Sequence, residues 1–368
     1  MSDTIGIYLH IPFCKSKCPY CDFFSGKATQ TDYDRYTDIL KSSIIYWSGQ
    51  TYKKVSTVYF GGGTPSVLGA DRLSKLLKTL QNSFEVLPDA EITVEVNPDT
   101  GKSLDFEKLK RTGFNRISVG FQTAVERELQ ALGRIHTAED ALVTTKNARV
   151  AGIDNVSLDL MMGIPYQTRE SLKESIDFCA SCGVKHISSY LLKIEEGTHF
   201  DKIKSQLSLA DDEEQAKLYL FAVEYLEKLG YKQYEISNFA KPGFESRHNT
   251  LYWRLDDYIG IGPSAHSFLD GKRFYYPRSM EEFLNGSVID DGTGGDEKEF
   301  IMLSLRLKSG LDYSSYENRF ARPLPRRVLD SVERFTRLGF MESDGFHASL
   351  TPKGFLISNY IISELTEE

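Results

Sequence analysis

Between residue 5 and about residue 236, short β-branched and aromatic runs alternate with stretches whose apolar residues recur at helical spacing. This alternation predicts βα units around a parallel sheet. The predicted strands are 5–11, 55–60, 91–96, 116–121, 155–161 and 186–194, mostly apolar, as expected for parallel strands buried on both faces. Helical spacing places crossover helices at 32–47, 71–81, 105–111, 138–151 and 169–182, with Gly113, Gly152 and Gly183 as stops. A sixth helix, 211–229, opens on acidic residues and closes with Lys228 before Gly230. Six right-handed crossovers curl into an α/β fold of the incomplete (β/α)6 type, a barrel left open on one side. Chemistry is then expected at the carboxyl ends of its strands.

The periodicity fades from 240 to 295, a Gly-, Tyr- and Phe-rich stretch read as a cap or linker. From 296 to 368 two helical patterns, a hairpin-like run and a last helix give a small winged-helix-like α+β domain. The expected organisation is therefore 1–239 barrel, 240–295 cap or linker and 296–368 C-terminal domain. Winged helices often bind DNA, but this tail carries 10 Lys and Arg against 12 Asp and Glu, which favours a packing role.

Charge and composition narrow the picture further. The chain of 368 residues is 40% hydrophobic and 26% charged, with a net charge of −8 and its cations dispersed, so a nucleic-acid partner is not expected. The first residues show neither a cationic leader nor a cleavage site, and no later run approaches a membrane span. A soluble, cytoplasmic protein is expected. Five cysteines, three of them between 14 and 21, make an odd disulfide framework and a plausible metal site.

The first strand runs into F-C-K-S-K-C-P-Y-C, which sets Cys14, Cys18 and Cys21 at C-x3-C-x2-C spacing. Three thiolates on one loop can hold three irons of a 4Fe-4S cluster and leave the fourth iron open to an exchangeable ligand. The competing reading is zinc with His10 as fourth ligand, weakened because the pleat of a strand dictates where His10 points. Cys179 and Cys182 form a second C-x2-C on a helical stretch, read as buried helix-face residues rather than a redox pair. Beyond the loop, GGGTP at 61–65 can bring backbone amides close to a ligand. Glu95, Gln122 and Asp159 are polar where the pattern predicts interior, and such groups need partners.

The cysteine spacing after a first strand, with Tyr20 before the third Cys, resembles the radical S-adenosylmethionine (SAM) superfamily. There the open iron binds SAM and reduction releases a 5′-deoxyadenosyl radical. YLHIPFC, GGGTPS, VEVNP, RISVGFQ, GRIHT and LDLMMGIPYQT extend the resemblance to the coproporphyrinogen III oxidase-like branch along nearly the whole chain. That resemblance implies SAM contacts from Tyr8, Tyr20, Gly62, Gly63, Thr64, Glu95, Gln122, Arg134, Asp159 and, by spacing alone, Lys193.

Within this branch two departures separate an oxidase from a heme chaperone. The oxygen-independent oxidases extend the motif to a fourth cysteine, where this chain has Phe23, and carry a longer arm before the cysteines than the thirteen residues here. H-N-T-L-Y-W at 248–253 is similar to the H-N-x-x-Y-W string of HemW-type heme chaperones, which implies a heme site at His248, Asn249, Tyr252 and Trp253. An imidazole can ligate heme iron and the two aromatics offer flat apolar surface. A loop His is more often a plain surface residue, and His266 in a Gly-rich turn is one that lines or caps the open side. The resemblance implies heme and apo-hemoproteins as partners, with a reductant for the cluster, and leaves an oligomer and SAM cleavage open. The alternative is radical SAM decarboxylation of coproporphyrinogen III.

Overall fold

The computed structural model describes residues 3–367. Six strands, β1 (Thr4–Ile11), β2 (Lys54–Gly62), β3 (Val86–Val96), β4 (Arg116–Gln122), β5 (Asn155–Met162) and β6 (His186–Leu191), pair in parallel and in chain order. The crossover helices are α1 (Gln30–Ser48), α2 (Gly69–Ser83), α3 (Phe106–Thr112), α4 (Ala138–Val150) and α5 (Arg169–Ser181), with α6 (Asp212–Lys228) after β6. Local chemistry starts several of them. Thr29, Thr137 and Thr168 each accept from the backbone three residues on in a capping box, and Asp211 caps α6 through Glu214 N.

The strands differ from the expected run of apolar residues in one respect that matters for the site. Positions of one parity, such as Ile7, Val58, Val94, Ile117, Leu158 and Ile187, are fully buried in the main core with the helices. Each contributes about 1.5–3 kcal/mol relative to exposure. Positions of the other parity, Tyr8, Tyr59, Glu95, Ser118, Asp159 and Ser188, are polar. Because successive side chains point to opposite faces, this second set lines the barrel interior. The register agrees, with Tyr8 beside Tyr59, Glu95 beside Ser118 and Asp159 beside Ser188.

Beyond the six strands, both edges are extended. On the β6 side, β7 (Lys232–Glu235) and β8 (Asn238–Ala240) add antiparallel strands. On the β1 side, β9 (Tyr258–Ile261) pairs in parallel with β1, followed by β10 (His266–Leu269), β11 (Lys272–Tyr275) and β12 (Ile289–Thr293), so that twelve strands form one sheet. The segment 240–295, read from the sequence as an irregular cap or linker, thus continues the sheet. Strands of four or five residues between tight turns are too short to show as a period. Between β8 and β9, α7 (Arg247–Trp253) closes the amino-terminal end of the barrel. Its first backbone amides, on Arg247 and His248, each donate to the Glu91 carboxylate at 3.0 Å.

The C-terminal part carries Glu297–Ser304, Tyr313–Phe320 and Arg326–Arg337 as helices beside a three-stranded antiparallel sheet, then two closing helices. It grips the outer edge of β7, where Ile236 N donates to Arg306 O and Lys308 N to Tyr234 O, both at 2.9 Å. Among the described residues no helix is long and apolar enough to cross a membrane.

Candidate cofactor cleft

The cysteine loop leaves β1 at its carboxyl end and returns at Gly26. Cys14 N donates to Gly26 O at 2.9 Å and Gly26 N to Pro12 O at 3.0 Å, so the loop is pinned at its neck. The three thiols are half-buried and line one cavity of about 160 Å³. Two groups donate to the sulfurs: Thr64 Oγ1 to Cys14 Sγ and Arg134 Nη1 to Cys18 Sγ, each at 3.4 Å. Hydrogen bonds of this kind to sulfur are among the features that tune iron–sulfur clusters. His10 takes no part. Its Nε2 meets the Phe24 carbonyl at 3.0 Å and its Nδ1 the Tyr8 hydroxyl at 3.0 Å, so the zinc set of one His and three Cys is not assembled.

Around the thiols stand the strand ends. Gly63 and Thr64 donate backbone amides to Ile11 O and Phe13 O at 2.8 Å, which welds the glycine loop to the cysteine loop. A Cβ on Gly63 would lie 2.7 Å from Phe13 O and 3.0 Å from Cys14 Sγ, so only glycine allows this approach. Glu95 accepts from the Tyr59 hydroxyl at 2.7 Å and from Gly62 N at 3.2 Å, and Asp159 accepts from Ser118 at 3.0 Å. Gln122 is buried at the cavity wall, and its Oε1 has no hydrogen-bond partner among the described residues. Arg134 is anchored by Nη2 to Gly120 O at 2.6 Å.

Of the SAM contacts implied by the sequence, Tyr20, Gly62, Gly63, Thr64, Glu95, Gln122, Arg134 and Asp159 all line this cavity. Two do not. Tyr8 lies one layer back, stacked toward Tyr59, with its hydroxyl spent on His10. Lys193 sits at the mouth of a second cavity of about 510 Å³, mostly exposed and paired with Glu195 at 2.8 Å, because β6 ends at Leu191 and the chain has already turned out. The second cavity shares Tyr20, Cys21, Glu95, Ser118, Asp159 and Tyr190 with the first, so the two form one cleft reaching into the barrel.

The HNxxYW string lies elsewhere. His248 is 1% exposed, with Nδ1 on Thr57 Oγ1 and Nε2 on the Tyr252 hydroxyl, both at 2.7 Å, and its ring stacks on Tyr59. Burial pushes its imidazole down to about 3. An axial ligand needs a free nitrogen facing open space, and neither ring nitrogen is free. The string builds the floor of the barrel, and only Asn249 reaches the cleft. Sequence gave no sign of this because a helix that plugs a barrel carries the same His and aromatics as a heme loop.

The Radical SAM superfamily profile matches residues 8–179 and the HemN C-terminal domain profile residues 298–357. Over 375 residues the chain is 32% identical to the heme chaperone HemW of Bacillus subtilis (strain 168), covering 98% of this chain and 99% of the relative. The chain belongs to the HemW family. The HemW of Escherichia coli (strain K12) is 37% identical over 317 residues, 82% of each chain. The solved structure of coproporphyrinogen III oxidase (HemN) from Escherichia coli superposes with a TM-score of 0.84 at 22% identity, covering 100% of this chain and 91% of the other, and confirms the fold.

In this HemW family member the sequence reading passed over Tyr59, Arg116, Ser118 and Tyr190, all on the cleft wall. The signal that singled out Glu95 and Asp159, a polar residue within a strand, was present at Arg116 and Ser118 too. Arg116 is 1% exposed, and its Nε has no hydrogen-bond partner among the described residues.

Burial raises the Glu95 carboxyl to about 7 and Asp159 to about 6, Asp159's charge adding to the former while Tyr59 and Gly62 oppose it. For Glu95 the folded value exceeds the ordinary 4.5, so the unfolded chain loses its proton first. Apo-protein stability therefore falls as pH rises from about 4.5 to about 7, by up to about 3 kcal/mol from this residue. Melting curves from pH 5 to 8 should show a drop for the wild type and a smaller one for Glu95→Gln, which carries no charge to bury. Parallel curves would disprove the assignment.

Proposed function

We propose that this chain carries heme and delivers it to apo-hemoproteins, with a 4Fe-4S cluster on Cys14, Cys18 and Cys21 and SAM on the cleft wall. The observation that carries the reading is similarity over nearly the full length to proteins named heme chaperone HemW. When bound, the cluster with SAM supplies one-electron chemistry at an iron that three thiolates leave open. The residues have simpler tasks. Thr64 and Arg134 donate to the sulfurs of Cys14 and Cys18, and Gly62 and Gly63 let the glycine loop pack against the cysteine loop without a side chain between them. Glu95 and Gln122 offer acceptors for hydroxyl or amino groups, and Asp159 sits where the two cavities meet. Phe23, 66% exposed, stands where an oxidase-type motif has a fourth cysteine.

Anaerobic reconstitution followed by hemin titration and a coproporphyrinogen assay tests this reading. Hemin should saturate at a defined stoichiometry, heme should pass to an acceptor such as apomyoglobin, and coproporphyrinogen III should remain unconsumed. Decarboxylation with SAM consumption, without saturable hemin binding, would replace the carrier with an oxidase.

A further inference from the structure

An arginine keeps its charge at physiological pH, and a guanidinium taken out of water needs a carboxylate or a set of acceptors around it. Arg116 has neither. It is 1% exposed, its Nε is buried without a partner, and no ion pair or hydrogen bond to its guanidinium forms among the described residues. The two cleft carboxylates are committed elsewhere, Glu95 to the Tyr59 hydroxyl and Gly62 N, Asp159 to Ser118.

The side chain points into the barrel. Arg116 opens β4 and has the parity of Ser118 and Gln122, while Ile117, Val119 and Phe121 between them pack in the main core. Its charge bears on Tyr59, Glu95, Asp159 and His248, all on the wall or floor of that interior. Arg116 lines the second cavity, of about 510 Å³, and not the cavity of the thiols. Gln122 closes the same strand about 20 Å further along, at the mouth.

We propose that Arg116 anchors a second ligand site at the bottom of the cleft, which takes a small organic acid by its carboxylate. A carboxylate meets the planar guanidinium fork with two parallel hydrogen bonds and one opposite charge. One negative charge is also as much as the place allows, because Glu95 and Asp159 already line the cleft and would repel a phosphate dianion. Two amides line the same cavity: Asn249, which alone of the HNxxYW string reaches the cleft, and Asn238, 8% exposed, whose Oδ1 also lacks a partner among the described residues. That acceptor suits a hydroxyl or amino group on the same acid. Met161, Leu191 and Leu192 line the cavity nearer its mouth and leave an apolar stretch for the carbon chain. A ligand held in this way has its acid end at the floor and its far end beneath the wall proposed for SAM.

The test uses reconstituted full-length protein without hemin, at fixed ionic strength, so the seat is read apart from heme carriage. Butyrate should raise the melting temperature with concentration, and butyramide, its neutral analogue of the same shape, should not. Arg116→Met should melt no lower than the wild type when butyrate is absent, because an apolar chain replaces an unsatisfied buried charge. It should weaken butyrate binding by at least about tenfold. Arg116→Lys, which keeps the charge and loses the fork, should fall between the two. SAM affinity by equilibrium dialysis should stay within about twofold of the wild type in Arg116→Met. A wild type unmoved by butyrate, or Arg116 variants protected as well as the wild type, would overturn the seat. A fall of several degrees in ligand-free Arg116→Met and Arg116→Lys alike would make the arginine a structural anchor instead. Equal protection of the wild type by inorganic phosphate would overturn the carboxylate assignment, and loss of SAM from Arg116→Met would give the guanidinium to the SAM site.

Discussion

Replacing Cys14, Cys18 or Cys21 by Ala, one at a time, is expected to bleach anaerobically purified protein, taking iron and sulfide from about four each per chain to near zero. The effect is all-or-none because a cubane held by three thiolates from one loop cannot be retained by two. Colorimetric iron and sulfide with the absorbance near 400 nm read it directly. Cys179→Ala and Cys182→Ala should keep the full complement. These thiols are 0% and 4% exposed, packed in the main core and away from the cysteine cavity. Stoichiometric zinc without sulfide in the wild type would end the cluster assignment.

The second large effect concerns SAM. A Cβ at position 62 would stand 2.6 Å from the His10 ring, on a backbone with φ of +112° that side chains rarely adopt. Gly62→Val must therefore move the glycine loop, and SAM affinity should fall by at least about a hundredfold. Glu95→Ala removes an acceptor and strands the Tyr59 hydroxyl and the Gly62 amide, so a loss of about ten- to a hundredfold is expected. Iron content should survive in Glu95→Ala, because Glu95 touches the cleft wall and not the sulfurs, whereas Gly62→Val moves a loop bonded to the cysteine loop and should cost some iron as well. Equilibrium dialysis with labelled SAM, scored against iron, separates the two. Retained affinity in both variants would refute the cleft as the SAM site.

The six-strand order, the crossover helices and the cysteine loop were all legible because each rests on a local rule: period, cap residue, spacing. Eight of ten implied SAM contacts lie on one cavity for the same reason, since strand ends converge wherever a parallel barrel forms. Lys193, placed by counting, lies at the mouth of the second cavity, because the strand beneath it stops two residues earlier. Tyr8 stands back from the first cavity by a different cause. Its parity is right, but His10 and Tyr59 fill the space ahead of it, which only the packed interior decides. The HNxxYW string shows the limit most clearly. Its His, Tyr and Trp are equally suited to a porphyrin and to a ring-stacked plug, and the packing around His248 is set by Thr57, Tyr59 and Glu91, about 160 to 190 residues away along the chain.

A sheet of twelve strands has two ends, and each could invite another molecule to add a strand. At one end the last strand, β12, is fully exposed but carries Asp290, Asp291 and Gly292, which repel a neighbour and break a flat face. At the other end the β7 edge is already taken by residues 306–308 of the C-terminal part. The C-terminal domain is thus a stopper as well as a unit in its own right. A shortened chain ending before residue 296 would leave the rim of β7 bare, and its fate in a crowded cell would turn on how quickly stray strands found that rim.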